Sequence, residues 1–165
     1  MRLRPLLVGL LALLVAVVLQ TTLVSRFRFV SPDLIVLVAI VFALSGLRRE
    51  IVLLLAFGGG LVMDLLGPTV LGLRASVVTV AAYLAIRTAS RVDLGPVAVA
   101  LWVGGITLAS MALLVLVGTL FGQGPEITSG LGRRMVLVPL ANLALSFPIA
   151  PILTRMMSTD PRGVM

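Results

Sequence analysis

The 165 residues contain no cysteine, no histidine and no lysine. Without cysteine there is no disulfide framework, no thiolate nucleophile and no Cys-based metal site. Without histidine, Ser-His-Asp chemistry, imidazole metal ligation and the usual proton shuttle are excluded. Without lysine there is neither a Schiff-base amine nor a P-loop lysine. Charge is also scarce, at 12% of residues against ~25% in an average soluble domain. What fills the chain instead is apolar: 60% of residues, with a mean hydropathy of +1.23. A small water-soluble globule cannot bury that much apolar surface, because the buried fraction falls with size. Disorder is excluded by the same composition. The sequence reads as an integral membrane protein. The net charge of +7 comes from 13 arginines. They stand in ones and twos between apolar runs, the pattern of membrane flanks and not of a phosphate-binding face, so no nucleic-acid partner is expected.

A bilayer core of ~30 Å needs ~20 mostly apolar residues per helix. On that measure the chain divides into six spans, near 5–24, 33–47, 51–66, 70–89, 97–121 and 131–157. The expected fold class is therefore all-α: one six-helix transmembrane domain. The first run resembles a signal peptide in position, but it is long for one and no A-x-A site follows it, so it reads as a retained helix. Ser31, Pro32 and Asp33 open the second span as a hydroxyl cap, a first-turn proline and an acid at the positive helix end. Gly67 and Pro68 break the third, and Pro139, Pro148 and Pro151 interrupt the sixth. The connections are too short to hold a soluble domain, so function belongs in the membrane or at its surface. Arg2, Arg4, Arg48, Arg49, Arg87, Arg91, Arg155 and Arg162 fall on one side, and Arg26, Arg28, Arg74, Arg133 and Arg134 on the other. That bias places both termini in the cytoplasm.

The stretch from Phe57 to Gly67 stands out. Gly58 and Gly60 allow close helix approach in lipid, and Asp64 is an acid in an apolar helix. A charge at the bilayer centre costs ~2.5–3.5 kcal/mol on insertion scales. Asp64 therefore reads either as a paired structural acid at a helix end or as part of a polar path. Gly60 and Asp64 are four apart and share a face, which should turn inward. Two partners are open to Asp64: the Arg74 side chain or a backbone N–H at the start of the fourth span. Arg74 alternatively snorkels to the headgroups. Gln20 and Asn142 are amides in apolar helices, expected to bond neighbouring helices. Gly118 and Gly122 form a G-x-x-x-G, and Gly105 with Ala109 a second small-residue pair, both read as packing faces for internal or partner helices.

The order Phe57-Gly58-x-Gly60-Leu61-x-x-Asp64-Leu65-Leu66, then Leu71-Gly72-x-x-Ala75 and Tyr83, with Leu19-Gln20-Thr21 and Pro32-Asp33-Leu34-Ile35 upstream, resembles the MreD family of bacterial rod shape-determining membrane proteins. The motifs cover about Met1 to Tyr83; beyond that only hydropathy agrees. The resemblance implies a component of the elongation machinery that builds lateral peptidoglycan in the bacterial cell membrane. It implies no catalytic activity and no cofactor. Its implied partners are MreC first, then RodA, a class B penicillin-binding protein, the MreB filament and membrane lipid. It also implies a likeness in fold to the six-helix substrate-binding subunits of energy-coupling-factor transporters. The competing reading is such a solute-binding subunit, which needs a polar-lined cavity. An intramembrane hydrolase lacks its histidine, and a headgroup transferase lacks its clustered acids.

Overall fold

A computed structural model describes residues 3–22, 32–68, 70–91, 95–122 and 130–157. Among the described residues the chain is wholly helical. The elements are α1 (Leu3–Thr22), α2 (Leu34–Phe42), α3 (Arg49–Leu66), α4 (Leu73–Thr88), α5 (Pro96–Leu120) and α6 (Leu131–Met157), with a 3₁₀ turn, Ala89–Arg91, after α4.

Three of these, α1 over Pro5–Thr22, α5 and α6, are long and apolar enough to cross a membrane. They make this a membrane-embedded, multi-pass protein. Their outer faces agree. Leu7, Leu10, Leu11 and Leu14 on α1, Leu101, Leu108 and Leu116 on α5, and Val136 and Leu140 on α6 are all exposed. So much contiguous apolar surface is foreign to a soluble monomer.

The other helices depart from the spans expected over 33–47, 51–66 and 70–89. At 1.5 Å per residue, the nine-residue α2 is only ~14 Å long. Its α-helix proper stops at Phe42, because Ala43, Leu44 and Ser45 donate their N–H groups three residues back, to Ile40, Val41 and Phe42. That pattern tightens the chain into a 3₁₀-type turn, and Gly46 then reverses it with φ +71°. The expected span over 33–47 is thus a short helix followed by a turn. The α4 helix is 16 residues long. The 18-residue α3 carries Arg49, Glu50 and Asp64. The start of the second span also differs. The N-cap is Asp33, whose carboxylate accepts the Val36 N–H, so Pro32 precedes the helix and does not begin it. Ser31 lies outside the described residues. The three prolines of the sixth span sit inside α6, which runs as one helix past all of them.

Every residue of α2 is buried, and α2 packs against all five other helices. It is the core. Ile35, Leu37, Ile40, Val41 and Phe42 are its largest fully buried side chains. A helix apolar all round belongs in an interior. The most extensive pairings around it are α3 with α4 and α5 with α6.

Candidate functional site

Two helix N-termini, those of α2 and α4, gather most of the polar side chains that the sequence singles out. The first four N–H groups of any helix lack intrahelical partners, and within a membrane no water supplies them.

At α4 the partner is Asp64. It is 3% exposed. Its Oδ2 accepts the N–H of Gly72 at 2.9 Å and of Ala75 at 3.1 Å, and its Oδ1 accepts that of Arg74 at 3.1 Å. A carboxylate on the positive end of a helix is favourable on both dipole and hydrogen-bond grounds. Of the two partners open to Asp64 from sequence, the structure shows the backbone N–H groups; Arg74 contributes its amide, and no ion pair joins the two side chains. Gly72 makes the geometry possible. It sits at φ +90°, in the left-handed region that glycine enters without steric cost, so the chain turns its N–H back onto Asp64.

Gly60, one turn before Asp64, brings the two helices together. A methyl group there would lie 2.5 Å from the Ala75 Cα and 2.8 Å from its N. Backbone atoms cannot move aside, so only glycine permits this crossing. Gly58 does not act this way, since a Cβ there meets nothing within 4 Å. The glycine that matters beside Gly60 is Gly59, where a Cβ would come 2.7 Å from Leu13 and 3.2 Å from Ile35. Gly60 shares the Asp64 face, which makes it legible from spacing, whereas Gly59 lies one residue round the helix toward α1 and α2.

At α2 three side chains share the work. The Gln20 Oε1 on α1 accepts the Leu34 N–H at 2.8 Å. The Asp33 carboxylate accepts the Val36 N–H at 3.2 Å. From α6, the fully buried Asn142 donates its amide to the Asp33 carbonyl at 3.0 Å and to the Thr107 hydroxyl of α5 at 3.2 Å. Thr107 in turn donates to the Val103 carbonyl. Three helices, α1, α5 and α6, are thereby tied to the N-terminal end of α2. The Asn142 Oδ1 is buried with no hydrogen-bond partner. Thr107 was not visible as a site residue, because a lone threonine in an apolar helix usually bonds its own backbone.

Between these two N-termini lies a cleft lined by Asp33, Arg74, Thr107 and Ser110, with Val36, Val77, Val78, Met111 and Leu114 as its apolar walls. Its free volume is about 20 Å³. A single water needs ~10–15 Å³ on this measure, whereas small-molecule sites run to ~300–1,000 Å³. As it stands the cleft suits water and not a solute. Asp33 and Arg74 face a common space of opposite charge, yet no salt bridge joins them among the described residues.

The remaining candidates divide. Gly118 is buried on α5, but Gly122 lies beyond the helix end at φ +76°. The pair is therefore not one packing stripe: Gly122 is a helix-ending glycine, which the left-handed conformation requires. Gly105 is exposed with open space around it. At the far end of α3 and α4, Arg49 stacks on the Tyr83 ring, 5.0 Å from its centroid, and Arg87 donates to the Tyr83 hydroxyl at 3.3 Å. Among the described residues no group of acids could hold a metal ion. In comparison with known proteins, no family model, no curated protein and no solved structure matches the chain.

Proposed function

We propose that this protein is a non-catalytic, six-pass component of the bacterial elongation machinery, of the MreD kind, that binds an MreC-type partner in the cell membrane. One observation carries the reading. The residues on which the resemblance rests meet across the breaks between consecutive helices: Gln20 with Leu34, Gly60 with Ala75, and Asp64 with Gly72 and Ala75. A motif whose members bond one another at helix ends is less readily a coincidence of composition than one whose members scatter. In this reading α2, α3 and α4 complete a bundle with α1, α5 and α6, in the manner of energy-coupling-factor substrate-binding subunits, and both termini face the cytoplasm. The protein contributes helix surfaces and turnover is absent. RodA, a class B penicillin-binding protein and the MreB filament are further partners in the same assembly.

The test is capture of tagged protein from native bacterial membranes under mild solubilisation. Recovery of MreC with the tagged chain supports the proposal. Recovery of a transporter ATPase in its place overturns it in favour of a solute-binding subunit, for which the cleft of about 20 Å³ between Asp33 and Arg74 would have to widen. Genes for MreB- and MreC-like proteins beside this one would point the same way as MreC capture.

A further inference from the structure

The end of the bundle opposite Asp64 holds a second organised cluster. The α3 helix begins at Arg49 and the antiparallel α4 ends at Thr88, so Arg48, Arg49, Tyr83 and Arg87 converge there. One tyrosine holds two guanidinium groups, Arg49 on its ring face and Arg87 on its hydroxyl. Like charges repel, and a neutral phenol only partly offsets this. Among the described residues no carboxylate forms an ion pair with Arg48, Arg49 or Arg87, although Glu50 is adjacent in sequence. The arrangement is one that an external anion completes. Guanidinium groups bind phosphate oxygens in bidentate fashion, which makes phosphate the fitting anion.

Two further observations give that phosphate a source. On the neighbouring α5, the half-buried Trp102 donates its indole N–H to Thr88 Oγ1 at 2.8 Å. Tyrosine and tryptophan at one level, each with a polar tip engaged, mark the headgroup zone of a bilayer. Below it, Val80 and Leu84 are exposed, as is Leu54 on α3. Val80, Leu84 and Arg87 are spaced four and three apart and share a face of α4, so an apolar strip leads directly to the cations. We propose that Arg49, Arg87 and Tyr83 form a binding site for the phosphate headgroup of an anionic phospholipid, whose acyl chain lies along Leu54, Val80 and Leu84. The site is independent of which protein partner the chain binds.

The experiment uses the full chain in a neutral detergent, with dioleoyl phosphatidylglycerol, dioleoyl phosphatidylcholine, inorganic phosphate and a short polyglutamate peptide as separate probes. Binding is read by native mass spectrometry. The wild-type protein should retain phosphatidylglycerol in preference to phosphatidylcholine, and salt should weaken that preference. Each basic residue near an anionic surface is worth about 5-fold in binding, so R49Q/R87Q should weaken retention roughly 20- to 30-fold. Y83F, which frees Arg87 but keeps the ring, should lose a smaller factor. R133Q/R134Q, at the other end of the bundle, should bind as wild type. Equal retention of the two lipids by the wild-type protein overturns the proposal without any variant. So does an R133Q/R134Q loss as large as that of R49Q/R87Q, which would mean general attraction. Tighter binding of polyglutamate or free phosphate than of phosphatidylglycerol also overturns it, assigning the cluster to an acidic protein or a soluble anion.

Discussion

Removing the Asp64 carboxylate should loosen the α3–α4 pair more than any other single polar change. Three backbone N–H groups, of Gly72, Arg74 and Ala75, donate to it at 2.9–3.1 Å. Hydrogen bonds to a charged group contribute ~1.5–3 kcal/mol each, which would sum to roughly 5–9 kcal/mol if they were independent. They are not, since all three share one carboxylate, and its removal also relieves the desolvation of a group that is 3% exposed. Gly72 and Arg74 are only half-buried, so water reaches part of what is left. A net loss of about 2–4 kcal/mol for Asp64→Ala follows. Asp64→Asn retains one acceptor oxygen, which can serve Gly72 and Ala75, but sets an amide donor against the Arg74 N–H; about half the loss is expected. Thermal unfolding of purified protein in detergent reads the difference. At ~2–4 °C per kcal/mol for a chain of this size, D64A should melt roughly 5–15 °C below wild type, with D64N between. A D64A protein that melts with wild type would refute the reasoning. A D64N protein less stable than D64A would also refute it, because then the oxygens would not be what matters.

Other substitutions separate the same physics into parts. Gly60→Ala should abolish accumulation or lower the melting temperature sharply, because its methyl meets Ala75 backbone at 2.5 Å. Gly58→Ala, with nothing within 4 Å, should be neutral or stabilising by ~0.5–1 kcal/mol, as alanine is the better helix former. Asn142→Ala removes two donors at 3.0 and 3.2 Å and should cost ~1–3 kcal/mol, while Gln20→Ala removes one acceptor and should cost ~1 kcal/mol; chemical unfolding of both variants and their double mutant measures whether the two act on one helix end. Single cysteines placed at Gly46 and Leu71 in this cysteine-free chain should label from opposite sides of the membrane, and labelling of both from one side would rule out the six-pass arrangement.

What was legible in the sequence was whatever a lipid environment forces. Apolar runs of 20 or more residues gave α1, α5 and α6 within two residues, since nothing but a spanning or buried helix accommodates them. The inward turn of Asp64 was legible because an unpaired carboxylate facing lipid is costly. Its choice of backbone N–H over the Arg74 side chain was not, because that depends on Gly72 adopting a positive φ, and a glycine in sequence does not declare its conformation. The length of α2 was missed for a related reason. Leu34 to Leu47 is apolar almost throughout, and hydropathy cannot tell a helix buried by other helices from one buried by lipid. Only Ser45 and Gly46 hint that the run turns, and both also occur inside transmembrane helices.

The short α2 explains how the scarce polar residues are used. A helix of nine residues that stops inside a membrane protein leaves its terminal N–H groups where neither lipid nor bulk water can meet them. Gln20 from α1 and Asp33 satisfy these directly, and Asn142 from α6 holds the carbonyl of the capping residue. The break between α3 and α4 raises the same need, and Asp64 meets it. Four of the few polar side chains are therefore engaged at helix ends: Gln20, Asp64 and Asn142 by reaching across to another helix or turn, and Asp33 by capping its own helix. Helix ends held in this way fix the relative positions of α1, α2, α4, α5 and α6 without a large polar cavity. A rigid frame with a cleft that admits little more than water is suited to presenting surfaces to other proteins. A solute-binding subunit would need Asp33 or Arg74 to leave its present setting and the cleft to widen at least severalfold. The Asn142 Oδ1 is, among the described residues, the one buried side-chain oxygen or nitrogen without a hydrogen-bond partner, and a water reaching it beside Thr107 would gain a hydrogen bond there.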